Sequence, residues 1–344
     1  MPGPFHARPP SLRGAVTTLA VDAPRLADNP WDDPHIRDVA VWSPAGHDAT
    51  PLPCVLVLPG FYGRVDDWHG GSLHEPSLVQ RLDALVAEGR CPPFRAVVPD
   101  CTTRLGGSQY LDSEGFGPYA SFVLDDVLPA VEAAYATTGA WGATGRSSGA
   151  YGAFQLALHR PGRLSAIAMN APDCAFELGY LEDLGKAVRA IHAAGGVAAF
   201  VHALWTRPKL DGDSFAAMNV LAMACAYAGD ASQRPVPATL PFDVEAGTLD
   251  LDAFLRWKRW DPVEQARSPE VCGVLRGLRY VGLECGDRDE YGLHLGAARL
   301  HHALTAGGVE VDYGLFPGGH RGTAWRYDVT LPKLVHALTG SGSS

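Results

Sequence analysis

The sequence has no run of roughly 18 or more uninterrupted apolar residues, which argues against a membrane-spanning helix. It also has no excess of positive charge. Lys and Arg number 28 against 38 Asp and Glu, a formal net charge of -10. An acidic balance argues against nucleic acid and anionic membranes as partners, and says little about a neutral small molecule. The N-terminal MPGPFHARPPSLRG lacks the apolar run that a signal peptide needs, so a cytoplasmic location is expected. No C-x-x-C pair and no H-E-x-x-H occurs, and Cys and His do not cluster, so no metal site is expected. The seven cysteines, an odd number with several in apolar segments, read as reduced core thiols rather than as a Cys91–Cys101 bridge. Composition leaves the oligomeric state, including a homo-oligomer, open.

What is present is an ordinary globular mixture, with 47% hydrophobic and 19% charged residues over 344 positions. That length suits one large α/β domain over 1–340 carrying an insertion, with a disordered tail at 340–344. Short apolar runs bounded by Gly, Pro or Asp recur at Cys54–Leu58, Phe94–Val98, Trp141–Thr144, Leu164–Met169, Leu278–Leu283 and Val309–Phe316. Ala15–Val21 and Ile36–Trp42 are β-rich and are expected to pair as an antiparallel edge. Helical spacing of apolar residues marks Ser77–Glu88, Tyr119–Tyr135, Ala150–Leu158, Tyr291–Ala306 and Leu331–Leu338. Strand–helix alternation implies a mostly parallel central sheet flanked by helices. The alternation fails at 176–260, which reads as a helical insertion or cap after the sixth strand, with helices over Leu181–Ala194 and Ser214–Ala228.

One segment carries chemistry. WGATGRSSGAYGAFQLAL places G-x-S-x-G at Gly145–Gly149, after a predicted strand and before a predicted helix. A serine hydroxyl is a poor nucleophile unless it is held exposed beside a base. A tight strand-to-helix turn does this, and its glycines remove side chains that would clash. Ser147 is therefore the candidate nucleophile. Ser148 is its rival, but only Ser147 has glycines at both two-residue offsets. The α/β-hydrolase chain order of nucleophile, acid, histidine then directs attention downstream. RYVGLECGDRDEYGLHL offers Glu284, Asp287, Asp289 and Glu290 after a strand, and VDYGLFPGGH offers His320 after the last one. Asp289 lies farther out on its loop, whereas Asp287 is placed to satisfy backbone N–H groups in the turn. The loop after the third strand, LPGFYG, supplies a backbone N–H at Phe61, with Tyr62 the alternative, to pair with Ser148 N–H in an oxyanion hole. Tyr62, Trp68, Arg146 and Trp205 are candidate substrate contacts. A structural ion pair is the favoured role of Arg146 over an anionic substrate group.

These segments resemble the esterase family of α/β-hydrolases that includes esterase D (S-formylglutathione hydrolase), enterochelin esterases, feruloyl esterases and mycolyltransferases. The likeness runs through NPWDDPHIRDVAVWSPAG, LPGFYG, VVPDCTTRLGGSQY and YASFVLDDVLPAVEAAY. It is strongest at GRSSGAYGAFQLALHRPGRLSAIAMNAP and resumes at GLECGDRDEY and FPGGH. The resemblance implies a Ser147–Asp289–His320 triad, oxyanion donors at Phe61 and Ser148, a small-molecule ester substrate and no cofactor. It supports Asp289 because the family acid stands three residues after the glycine that is Gly286 here. The elbow departs from the family, reading G-R-S-S-G-A where G-H-S-M-G-G is frequent, and 176–260 matches no subgroup. Two alternatives stand beside ester hydrolysis: acyl transfer by the same triad, and a non-catalytic binding protein on a hydrolase fold.

Overall fold

The computed structural model describes residues 13–71 and 75–340. The first twelve residues and nearly all of the expected tail, 341–344, lie outside them. Eight strands form the central sheet: β1 Ala15–Asp22, β2 Ile36–Ser43, β3 Leu52–Leu58, β4 Arg95–Pro99, β5 Thr137–Arg146, β6 Ala166–Asn170, β7 Tyr280–Gly286 and β8 Asp312–Phe316. Their spatial order is β1-β2-β4-β3-β5-β6-β7-β8. The expected β1–β2 edge is antiparallel, β2 meets β4 antiparallel, and every later pairing is parallel.

The central strands are apolar because both of their faces are covered. Side chains alternate between faces. Cys54, Leu56 and Leu58 of β3 enter one core, while Val55 and Val57 enter the other. Helices α1 Leu78–Ala87 and, on the opposite face, α2 Ser148–His159 cover these surfaces. Tyr119–Ser121, Phe122–Val127 and Leu128–Ala134 follow one another as α, π and α segments. Pro129, which has no N–H to give, stands just past the wider turn.

Between β6 and β7 the chain leaves the sheet. Helices α3 Leu181–Ala193 and α4 Gly212–Tyr227 pack together there, with Val197–Leu204 between them. Helix α4 is apolar nearly all round and almost wholly buried, as such a helix must be. Phe176, Tyr180, Tyr227 and Trp257 pack ring against ring, and the main core runs continuously from the sheet into them. After the insertion come α5 Leu293–Ala306 and α6 Tyr327–Thr339; α6 shares the second core with α1. Among the described residues no single helix is long and apolar enough to cross a membrane. All seven cysteines are free and buried, so Cys91 and Cys101 form no bridge.

Candidate active site

The register of the sheet gathers the strand ends. Leu58 of β3 pairs with Gly145 of β5, Arg146 with Asn170 of β6, and Asn170 with Glu284 of β7. The loops that leave these ends therefore share one edge. At that edge β5 turns directly into α2, and Ser147 occupies the turn with φ 55° and ψ -127°. This is a costly conformation for a residue with a side chain, and the surroundings impose it. Ser147 N–H donates to Asn170 O at 3.0 Å, and Tyr151 N–H donates to Ser147 O at 3.0 Å. The flanking glycines are obligatory. A Cβ on Gly149 would stand 2.0 Å from Leu58 O, and one on Gly145 would stand 2.4 Å from the Gly149 carbonyl carbon.

His320 and Asp289 arrive on the loops after β8 and β7. His320 Nδ1 and Asp289 Oδ2 are 2.7 Å apart. Asp289 Oδ1 accepts from Tyr291 N–H at 3.0 Å and Leu293 N–H at 3.4 Å. Burial alone would raise the Asp289 pKa. The His320 hydrogen bond and charge, with the two backbone donors, outweigh it and hold the carboxyl below its ordinary value. The Tyr291 ring stands edge-on to the imidazole, centroids 4.9 Å apart. Glu290 Oε2 accepts the His320 backbone N–H at 2.5 Å. Asp287 Oδ1 accepts an N–H not of its own turn but of Gly318 on the loop after β8, at 3.0 Å, and pairs with Arg288 Nε at 3.4 Å. Glu284 is buried and committed elsewhere: Arg326 pairs with it, and Asn170 Nδ2 donates to it at 2.7 Å.

Ser147 and His320 both line one cavity of about 570 Å³. Phe61, Trp68, Arg146 and Ser148 line it too, as do Phe176, Tyr180 and Phe215 from the insertion. Phe61 is seated by its ring against Gly106, where a Cβ would come within 2.7 Å, and by an edge contact with Phe215 at 5.8 Å. Among the described residues Arg146 makes no ion pair, against the structural pair expected of it. Its guanidinium donates to His320 O at 2.9 Å, tying the elbow to the histidine loop. Two expected contacts fall outside the lining. Tyr62, at φ 66°, is half exposed and meets the Phe215 ring edge-to-face, centroids 6.1 Å apart. Trp205, at the C-terminal end of Val197–Leu204, is 57% exposed.

Sequence reasoning missed Asp173. It is buried, it lines the cavity, and it accepts four side-chain hydrogen bonds. Its Oδ1 receives Ser147 Oγ at 3.2 Å; its Oδ2 receives Ser148 Oγ at 2.7 Å, Gln109 Nε2 at 3.0 Å and Tyr180 OH at 3.2 Å. The signal was available: A-P-D follows β6 directly, on the edge that holds the nucleophile. Gln109 carries no motif. Its placement depends on a loop in which it and Tyr110 both have φ 55°.

The family model described as "Putative esterase" matches residues 37–333. Among curated proteins none matches significantly. Among solved structures, a ferulic acid esterase superposes with TM-score 0.60 at 16% identity, over 96% of this chain and 99% of that one. An S-formylglutathione hydrolase from Agrobacterium tumefaciens gives 0.52 at 15%, over 95% and 97%. A ferulic acid esterase from Anaeromyces mucronatus gives 0.54 at 13%, over 98% and 95%. At these identities the likeness is one of fold.

Proposed function

The chain belongs to this esterase family and is a carboxylic ester hydrolase, and we propose that it works through an acyl-enzyme on Ser147. The observation that carries the reading is the Asp289–His320 pair at 2.7 Å, opening into the cavity that holds a strained, exposed-edge serine. In the proposed cycle Ser147 Oγ attacks the ester carbonyl while His320 Nε2 takes its proton. Asp289 keeps Nδ1 protonated and oriented, and stabilises the imidazolium. The oxyanion is received by the Ser148 and Phe61 backbone N–H groups, the first of which belongs to the free N-terminus of α2. The proton passes from His320 to the leaving alkoxide, and water then releases the acyl group by the reverse sequence. Residues 176–260 act as a cap that supplies part of the substrate pocket within a single domain. The seven buried free thiols support the reading of a cytoplasmic enzyme.

A fluorophosphonate probe is expected to label Ser147, with the modified peptide identified by mass spectrometry. Ser147→Ala is expected to lower kcat on p-nitrophenyl acetate by about 10³-fold or more, since only oxyanion binding and proximity remain. Labelling at Ser148 would overturn the assignment.

A further inference from the structure

Ser147 makes no hydrogen bond to His320 in this structure. Its hydroxyl is turned to Asp173 Oδ1 instead, at 3.2 Å. The two oxygens of Asp173 are used unequally. Oδ2 is saturated by Ser148, Gln109 and Tyr180, which fix the carboxylate in place. Tyr180 and Gln109 are themselves held by Tyr227 OH, at 3.3 Å and 2.9 Å. Among the described residues Oδ1 has one partner, the nucleophile, and Asp173 lines the cavity.

Acylation removes that partner. Once Ser147 Oγ is bonded to the substrate carbonyl carbon it has no hydrogen to give, and a buried carboxylate oxygen faces the acyl group with nothing donating to it. An unpaired buried acceptor costs free energy, and a substrate that brings its own donor removes the cost. An atom on the carbon next to the carbonyl is three bonds from Oγ in the acyl-enzyme. It therefore falls in the neighbourhood that Asp173 Oδ1 occupies.

We propose that Asp173 selects esters whose acyl group carries a hydrogen-bond donor, an ammonium or a hydroxyl, on the carbon adjacent to the scissile carbonyl. This rests on the Ser147 esterase reading and deepens it. On binding, the donor takes Asp173 Oδ1 from the serine hydroxyl, which becomes free to turn to His320 Nε2. The resting enzyme thus holds its nucleophile away from its base until a substrate with the matching group arrives. A plain acyl chain leaves the serine on Asp173, and on acylation leaves the carboxylate unpaired. The negative charge 3.2 Å from Oγ also favours a cation over a neutral donor.

The test is a matched triple of p-nitrophenyl esters, alanyl, lactyl and isobutyryl, which differ only in an α-ammonium, α-hydroxyl or α-methyl group of similar size. Rates are corrected for uncatalysed hydrolysis. The wild-type kcat/KM is expected to favour alanyl and lactyl over isobutyryl by about ten- to a hundredfold. Asp173→Asn keeps an acceptor but removes the charge, so the alanyl advantage should collapse while part of the lactyl advantage persists. Asp173→Leu should abolish both. Isobutyryl turnover is then the internal reference, because a purely structural role would lower all three esters together and leave their ratios unchanged. Equal wild-type rates on the triple would overturn the proposal and leave the esterase reading intact, as would ratios unchanged in both variants. Absence of turnover on every ester, with Ser147 unlabelled by fluorophosphonate, would overturn both.

Discussion

Asp289 is held by more than its histidine. The two N–H groups at the start of α5 fix one carboxylate oxygen, which leaves the other aimed at His320 Nδ1. Such a carboxylate orients the imidazole by its charge, and an amide of the same shape cannot. Asp289→Asn is expected to lower kcat by about 10²- to 10⁴-fold, with little change in melting temperature. Asp287→Asn serves as the contrast. Its exposed carboxylate accepts the Gly318 N–H of the neighbouring loop and pairs with Arg288, so turnover should survive and stability should fall by no more than about 1 kcal/mol. Steady-state kinetics and thermal melts on the two variants check the pair, and the reverse pattern would reassign the acid.

At the scale of elements, the insertion meets the active site through few residues. Phe215 near the start of α4 lines the cavity and packs edge-on against Phe61, the expected oxyanion residue. Removing its ring opens space in the pocket without exposing the helix's main core. Phe215→Ala should therefore shift the preferred acyl length of p-nitrophenyl esters upward, by about tenfold in kcat/KM between short and long chains, since one methylene is worth about 1–3 kcal/mol. Trp205→Ala, at an exposed position away from the cavity, should leave that preference unchanged. A shift at Trp205 alone would mean that the cap closes differently over substrate. This contrast also marks how far the sequence could be read. The strands and the elbow were legible because their signals are local: apolar runs of fixed length, and two glycines at set offsets from a serine. The three residues of the proposed triad could be named because chain order puts a serine, an acid and a histidine at successive strand ends. The insertion's aromatic residues gave no such cue. Which of them reach the site depends on how α3 and α4 pack, a non-local matter in which Trp205 and Phe215 look alike. Asp173 lay between the two cases: its position at a strand end was visible, but its role needed Gln109 and Tyr180, which come from distant loops.

For the whole molecule, the fold places charged groups in environments that respond differently to pH. Glu177 is held near about 2: burial alone would raise it, and the hydrogen bonds from Lys258 and Arg299 outweigh that. Its folded pKa lies below the unfolded value, so its contribution is present above about pH 4 and is lost as pH falls toward 2. Asp33 behaves oppositely. It is buried in the loop between β1 and β2, where Asn29 takes its backbone N–H at 3.0 Å, and its own Oδ2 accepts the Arg104 N–H at 3.3 Å. Burial pushes its pKa up to about 6, against the pull of Arg37 and Arg104. The folded value is raised, so the folded chain binds this proton more tightly than the unfolded chain does. The stability it contributes is fully present below the unfolded pKa of about 3.9 and is lost as pH rises through about 6. At neutral pH the ionised Asp33 is thus a burden on the order of 2–3 kcal/mol. Asp33→Asn keeps the shape and the acceptor for Arg104 N–H but cannot ionise. The variant should melt higher than wild type at pH 7.5, and the gap should close as pH is lowered from about 6 to about 4. Melting curves of both proteins across that range decide the matter: a gap that stays constant with pH would show that the Asp33 carboxyl titrates alike in the folded and unfolded chains.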